Sequence, residues 1–129
     1  MERETSPNIG KTVLVVDDSV VIRRMLASAF LSDGFKTCIE AENGQEAIDA
    51  AKRSKPDLIV LDLSMPVMNG LQSAPLLRQI LPQTPIILFT LYGKTVSEKE
   101  AYKAGVNLVL EKTLPLSTVI QRAHELMEN

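Results

Sequence analysis

The sequence has little cysteine, few aromatic residues and no long apolar run, and each absence excludes a class of protein. Cys38 is the only cysteine, so neither an internal disulfide nor a thiolate metal site can form. The unbroken apolar runs span only a few residues, too few to cross a bilayer. The first eleven residues, MERETSPNIGK, lack the apolar core of a signal peptide. We therefore expect a cytoplasmic protein rather than a membrane or secreted one.

Charge of one sign is not in excess either. Fourteen lysine and arginine residues stand against sixteen aspartate and glutamate residues, which gives a net charge of -2 at pH 7. Without a basic excess to hold a nucleic-acid backbone, we expect no direct DNA binding. The length of 129 residues, with 45% hydrophobic and 23% charged residues, suits one globular domain. We expect a flexible polar tail over residues 1–11 and a single domain over 12–129.

Short apolar segments alternate with longer amphipathic ones along the chain. The periodicity predicts strands at 13–16, 36–42, 58–61, 85–89 and 106–111. Helical patterns follow at 20–31, 45–53, 71–81, 101–104 and 116–127. The Ser97–Glu100 spacing predicts a helix cap, and Pro75 predicts a delayed or kinked first turn in the third helix. The α/β pattern predicts a five-stranded, doubly wound parallel sheet with strand order 2-1-3-4-5.

Polar side chains follow four of the five predicted strands. The first strand runs into Asp17 and Asp18, the third into Asp62, the fourth into Thr90 and the fifth into Lys112. Doubly wound proteins bind ligands at the carboxyl ends of the strands, so we expect these side chains to line one crevice. Three carboxylates in a crevice repel one another, and Mg²⁺ suits their oxygens while leaving room for a phosphoryl oxygen. The pattern therefore predicts a divalent-cation site that accepts an anion.

The residues at the strand ends resemble the receiver domain of bacterial two-component response regulators. The resemblance covers residues 12–128 and rests on VLVVDDS at 13–19, IVLDLSMPVMNG at 59–70, ILFT at 87–90 and EK at 111–112. It implies a flavodoxin-like (βα)5 fold and a stand-alone receiver similar to chemotaxis regulators. It also implies that a sensor histidine kinase or phosphotransfer protein supplies a phosphoryl group. A downstream protein, not identified by the sequence, would then bind the phosphorylated form.

The resemblance also implies a role for each residue of the predicted site. Asp62 would be the phosphoacceptor and would form an aspartyl phosphate. Thr90 and Lys112 would contact the phosphoryl group. Mg²⁺ would be held by Asp62 together with three further groups, Asp17, Asp18 and the backbone carbonyl of Ser64. The implied catalysis is limited to the chain's own phosphoryl transfer and autodephosphorylation.

Several positions depart from the pattern of the family. Val109 stands where receivers place an inward-turning Tyr or Phe, and Leu91 where they place a small residue. Thr113 stands where they place a proline after the lysine, which leaves the geometry around Lys112 open. Tyr92 is the candidate for a substitute moving aromatic side chain. These departures support an alternative hypothesis, a receiver-like interaction module that does not use phosphorylation as its switch.

Two other functions fit the sequence less well. A Mg²⁺-dependent phosphohydrolase would need an acid two residues after its nucleophile, where Ser64 stands. A flavin phosphate would be repelled by the acidic pair that follows the first strand. Four further residues are interpreted as structural: Met65 and Met68 as loop packing, His124 as a surface residue and Cys38 as a small buried apolar side chain.

Overall fold

The computed structural model describes residues 10–91 and 97–128. The strands are β1 (Thr12–Val16), β2 (Thr37–Ala41), β3 (Leu58–Asp62), β4 (Ile86–Thr90) and β5 (Leu108–Glu111). The helices are α1 (Val20–Asp33), α2 (Gly44–Ser54), α3 (Gly70–Ile80), α4 (Glu98–Lys103) and α5 (Leu116–Met127). All strand pairs are parallel and the strand order is β2-β1-β3-β4-β5, which confirms the predicted fold. Within these ranges, no helix is both long and apolar enough to span a bilayer.

The beginning of the predicted tail lies outside the described residues, which start at Gly10. Its last residue, Lys11, already belongs to the folded part. The Lys11 carbonyl accepts a hydrogen bond of 2.8 Å from the backbone N–H of Lys36, just before β2. The backbone of Lys11 is therefore joined to the segment that leads into β2.

The three central strands are buried on both faces. Every residue of β3 and β4 is buried, as is β1 after Thr12, which explains why their sequences lack polar alternation. One core, containing Leu14, Leu61 and Leu88, lies under α2, α3 and α4. The other, containing Phe30 and Phe89, lies under α1 and α5. Two helical layers thus cover the two faces of the sheet.

Side-chain caps define the helix beginnings. Ser19 precedes α1, and its hydroxyl accepts a hydrogen bond from the N–H of Ile22. Ser97 precedes α4 and accepts from the N–H of Glu100 at 3.0 Å, as the spacing predicted. Gly34 ends α1 with a φ of 117°, a left-handed conformation that glycine adopts at little cost.

The third helix corrects the expectation about Pro75. Asn69 and Gln72 form a reciprocal capping box, and α3 begins at Gly70, five residues before the proline. Pro75 lies inside the helix and is exposed on its outer side. The predicted delay was wrong because the capping box, rather than the proline, determines where the helix starts.

The first helix carries apolar side chains on two faces. Leu26 and Phe30 are buried against the sheet, as its periodicity predicted. Val20, Val21 and Met25 instead face solvent, and each keeps about half of its surface or more exposed. They line an open groove of about 730 Å³ beside the start of α5. Apolar periodicity alone therefore did not distinguish the core face of α1 from its outer face.

The residues interpreted as structural have specific contacts. His124 is not simply a surface residue, because its ring Nε2 lies 2.6 Å from Asp33 Oδ2 and joins α5 to the end of α1. Cys38 is partly buried against the core beneath α1 and α5. Burial, together with the charge of Glu40, raises the pKa of its thiol to about 12. Met65 and Met68 pack against the opposite core, which confirms their packing role.

Arg78 joins the last turn of α3 to the loops at the amino ends of β4 and β5. Its guanidinium donates hydrogen bonds of 2.7–3.2 Å to the carbonyls of Leu81, Pro82, Thr84 and Gly105 and to the Asn107 side chain. Burial lowers the pKa of this guanidinium, a desolvation cost that the five acceptors offset. Arg78 therefore supplies side-chain hydrogen bonds to two neighbouring loops whose carbonyls it joins.

The replacement Arg78→Met should lower the free energy of unfolding by about 1–3 kcal/mol, because it keeps the aliphatic stem but leaves several partly buried carbonyls without donors. Urea unfolding followed by circular dichroism measures the change. Arg53→Met is the matched control, since Arg53 is an exposed arginine in the last turn of α2. We expect it to change stability by less than about 0.5 kcal/mol. Equal losses in the two variants would contradict the bridging role.

Val67, in the loop between β3 and α3, has a strained backbone. Its φ is 68°, in the left-handed region that disfavours β-branched residues. The side chain is 81% exposed, so little burial compensates for this conformation. The strain lies in the segment that follows Asp62.

We expect Val67→Asn to raise the free energy of unfolding by about 1 kcal/mol, because asparagine tolerates the left-handed region. Val67→Thr keeps the branched shape and should leave stability nearly unchanged. Thermal unfolding of the two variants beside the wild type measures the difference. A gain with threonine equal to that with asparagine would point to side-chain polarity rather than backbone strain.

Candidate functional site

The sheet brings the predicted site residues to one edge. Strands β1, β3, β4 and β5 are consecutive neighbours, and pairs such as Val16–Leu61 and Thr90–Glu111 align their carboxyl ends. A cavity of about 440 Å³ opens there. Its lining includes every residue of the predicted site: Asp17, Asp18, Asp62, Ser64, Thr90 and Lys112.

Three carboxylates converge in this cavity. Asp17, Asp18 and Asp62 each present an oxygen, and these oxygens all lie within 4.8 Å of one another. Asp17 and Asp62 are buried, with 1% and 4% of their surface exposed, whereas Asp18 faces solvent. Two of the three charges therefore lie where water screens them poorly.

Lys112 lies between the two buried carboxylates. Its Nζ is 2.6 Å from Asp17 Oδ2 and 3.0 Å from Asp62 Oδ1. Burial opposes the charged ammonium, but the bonds to the two carboxylates outweigh it and raise the pKa of Lys112. The backbone N–H of Lys112 also bonds to the Thr90 carbonyl at 2.9 Å, so Thr113 does not turn the lysine away from the cavity.

The ionised form of Asp62 remains electrostatically unfavourable although Lys112 lies beside it. Burial and, next, the charge of Asp17 raise the pKa of the Asp62 carboxyl. Hydrogen bonds from Lys112 and from the backbone N–H of Ser64 oppose the shift without cancelling it. One ammonium among three carboxylates leaves the cavity negatively charged, so it favours a cation.

The donor set fits Mg²⁺ better than a soft metal. All three charged donors are carboxylates, the hard oxygen ligands that Mg²⁺ prefers, and Ser64 also lines the cavity. Because Asp18 is exposed, a cation held by it would remain accessible to water and to an incoming anion. Among the described residues, this acidic group is the only one that meets the geometry for a shared ion.

The positions that depart from the family pattern lie around the cavity or near it. Thr90 ends β4 with 1% exposure, and Leu91 follows at the cavity wall with 59% exposure. Val109 packs half-buried on β5 against the core under α4. The proposed substitute, Tyr92, lies outside the described residues.

Two glycines hold the loop that follows Asp62. A Cβ on Gly70 would overlap the carbonyl oxygen of Asp62, so the start of α3 can approach β3 only without a side chain. The Gly44 N–H donates to the Met68 carbonyl at 3.1 Å, and a Cβ on Gly44 would lie 2.8 Å from that oxygen. Sequence reasoning missed Gly44, whose signal was its place directly after the cap residue Asn43.

Comparisons with known proteins agree with this geometry. The family described as "Response regulator receiver domain" matches residues 13–124. The chemotaxis protein CheY of Thermotoga maritima is 35% identical over 113 residues, covering 88% of this chain and 94% of that protein. The phosphate regulon transcriptional regulatory protein PhoB of Pseudomonas aeruginosa is 34% identical over 116 residues, covering 88% of this chain but 50% of PhoB.

A solved structure shows the same architecture. The chemotaxis protein CheY4 of Vibrio cholerae superposes with a TM-score of 0.82 at 28% identity. The match covers 91% of this chain and 98% of that structure. The likeness thus extends over nearly the whole length of both chains.

In buffer free of divalent cations, Asp62→Asn should raise the free energy of unfolding by about 1–2 kcal/mol. The raised pKa of Asp62 means that its ionised form is less stable in the folded chain than in the unfolded one. The amide keeps the shape and removes this cost near neutral pH. Asp18→Asn is the control, because its exposed charge should contribute less. Urea unfolding in a chelator measures both, and a less stable Asp62→Asn variant would refute the prediction.

Proposed function

Since this chain belongs to the response regulator receiver domain family, we propose that Asp62 accepts a phosphoryl group from a phosphohistidine. The observation that carries the proposal is the Asp17–Lys112–Asp62 contact at the floor of an acidic cavity. An oxygen of Asp62 forms the new P–O bond while the P–N bond to the donor imidazole breaks. The product is an aspartyl phosphate.

All three carboxylates, Asp62 included, are proposed to hold Mg²⁺. Asp17, Asp18 and Asp62 supply charged oxygens, with the backbone carbonyl of Ser64 as a further ligand. When bound, Mg²⁺ neutralises negative charge on the phosphoryl oxygens, which is the main requirement of phosphoryl transfer. The convergence of their oxygens within 4.8 Å supports this assignment.

Lys112 and Thr90 are proposed to bind the phosphoryl group once it is attached. The Lys112 ammonium already lies 3.0 Å from Asp62, so it needs little movement to pair with an added phosphoryl oxygen. Thr90 has a hydroxyl at the same cavity and can donate to a second oxygen. Positioning and charge compensation, rather than proton transfer, are the contributions of these two side chains.

Receiver domains interact with histidine kinases or phosphotransfer proteins, and we propose that such a partner docks over this cavity. Leu91 lines this cavity with 59% of its surface exposed, and Val67, 81% exposed, lies in the loop that follows Asp62. Exposed apolar side chains beside a polar site suit a partner that must exclude water during transfer. The net charge of -2 supports a protein rather than DNA as the downstream target of this chain.

The alternative, a module that does not use phosphorylation as its switch, is favoured by Val109. Its half-buried aliphatic side chain takes the place of an aromatic side chain that could move between two positions. The chemistry at Asp62 does not depend on that side chain. Phosphoryl uptake is therefore tested first and separately from any conformational response.

Incubation with a small phosphodonor such as acetyl phosphate should phosphorylate the wild type in a Mg²⁺-dependent manner. Asp62→Asn should show no uptake, because the amide cannot form an acyl phosphate. Intact-mass measurement should detect the added phosphoryl group. Asp49→Asn, at an exposed position on α2, is the control and should be phosphorylated as the wild type is. A wild type that takes up no phosphate in Mg²⁺ would refute the proposal and favour the alternative.

A further inference from the structure

The residue that begins the acidic pair, Asp17, is held by contacts from four parts of the fold. Its N–H donates to the Ala41 carbonyl at the end of β2 at 3.0 Å. One carboxylate oxygen accepts from the Ser19 N–H at 2.9 Å and the other contacts Lys112. Its backbone carbonyl accepts a hydrogen bond of 2.7 Å from Arg23 Nη1. The last contact comes from a residue that the proposed function does not use.

Arg23 is itself fixed at its other edge. Its Nε lies 3.1 Å from Glu40 Oε1 on β2, and only 12% of the side chain is exposed. The planar guanidinium thus bridges Glu40 on β2 and the carbonyl that follows β1. Because the fork is rigid and both ends are occupied, it restrains the carbonyl more firmly than a flexible ammonium would.

The neighbouring arginine offers a natural comparison. Arg24 contacts the same Glu40 carboxylate at 3.3 Å, but its side chain is 71% exposed and directed to the outside of α1. The two residues have the same charge, the same helix and the same acidic partner. They differ in burial and in the contact with the Asp17 carbonyl, which only Arg23 makes.

Holding that carbonyl has a direct consequence for Asp18. The carbonyl of Asp17 and the N–H of Asp18 belong to one planar peptide group. Fixing the carbonyl oxygen therefore fixes the orientation of the peptide plane that contains the Cα of Asp18. Asp18 is exposed and has no packed environment to orient it. The three carboxylates repel one another, so a restraint on this loop helps to keep the Asp18 carboxylate near the other two.

We propose that Arg23 is a positioning residue for the cation site, which holds the Asp17 carbonyl so that the Asp17 and Asp18 carboxylates stay converged on Asp62. The inference rests on the proposed function, because it concerns the Mg²⁺ that supports phosphoryl uptake. Arg23 touches neither carboxylate and acts through the backbone. Its contribution is preorganisation of the site.

The positive charge of Arg23 has an effect on Mg²⁺ binding opposite to that of its backbone restraint. A positive charge near a cation site weakens cation binding, so removal of the charge alone should strengthen Mg²⁺ binding. Loss of the backbone restraint should weaken it. The sign of the change in Arg23→Met therefore separates the two effects.

The test measures the Mg²⁺ dissociation constant of the full chain by titration, following backbone amide signals at the cavity. Arg23→Met should weaken Mg²⁺ binding roughly tenfold, as loss of an outer support of a metal site does. Arg23→Lys keeps the charge and can reach one of the two acceptors, so it should recover part of the affinity. Arg24→Met should change the constant by less than about twofold.

Phosphoryl uptake from acetyl phosphate adds a second readout. In Arg23→Met the Mg²⁺ concentration for half-maximal uptake should rise with the dissociation constant, while the rate at saturating Mg²⁺ stays within about threefold. If Arg23→Met does not fold, Arg23→Lys and Glu40→Gln test the same restraint, and both should weaken Mg²⁺ binding.

The inference is overturned if Arg23→Met binds Mg²⁺ as tightly as the wild type or more tightly, or if Arg24→Met loses as much affinity. It is also overturned if the folded Lys and Gln variants keep the wild-type constant. Failure of the proposed function is a different result, since there the wild type itself takes up no phosphate. A wild type that is phosphorylated beside an unaffected Arg23→Met would refute the positioning role alone.

Discussion

The structure depends on one constraint, the meeting of like-charged side chains at the shared edge of four parallel strands. Parallel pairing aligns the ends of β1, β3, β4 and β5, and Asp17 and Asp62 cannot avoid each other once the strands pair. Lys112 compensates part of this repulsion at 2.6 and 3.0 Å. The rest is tolerated because two cores of Val, Leu, Ile and Phe bury the strands on both faces.

Because the strand ends must meet at this edge, the conformation of the loop between β3 and α3 is fixed by several specific contacts. Asn69 and Gln72 cap α3, Gly70 lets the start of that helix approach β3, and Val67 adopts a disfavoured backbone between them. Strain of this kind persists only where neighbouring contacts over-determine the chain. Here the neighbouring contacts are the hydrogen bond from Gly44 at the start of α2 to the Met68 carbonyl and that from Gly70 to the carbonyl of Leu63, the residue after β3.

Much of this architecture was predictable from the sequence, and the reason is geometric. The carboxyl ends of parallel strands share an edge, so residues far apart along the chain were placed together from strand order alone. Contacts that depend on side-chain reach were not predictable. The support of the Asp17 carbonyl by Arg23, the bridge from His124 to Asp33 and the five acceptors of Arg78 leave no periodic signal. The outward apolar face of α1 was missed because periodicity does not say which of two apolar faces meets the sheet.

Lys112 reaches the cavity although Thr113, and not a proline, follows it. The N–H of Lys112 continues the β4–β5 pairing by bonding to Thr90, and its ammonium contacts Asp17 and Asp62 in the cavity. The sheet thus fixes the backbone of the lysine up to the residue that precedes Thr113. Val109 differs in kind, because it lies on the face of β5 that packs under α4 and does not line the cavity. Under the proposed function, departures at the strand ends would alter phosphoryl chemistry, whereas a departure on the strand face would alter how a partner senses it.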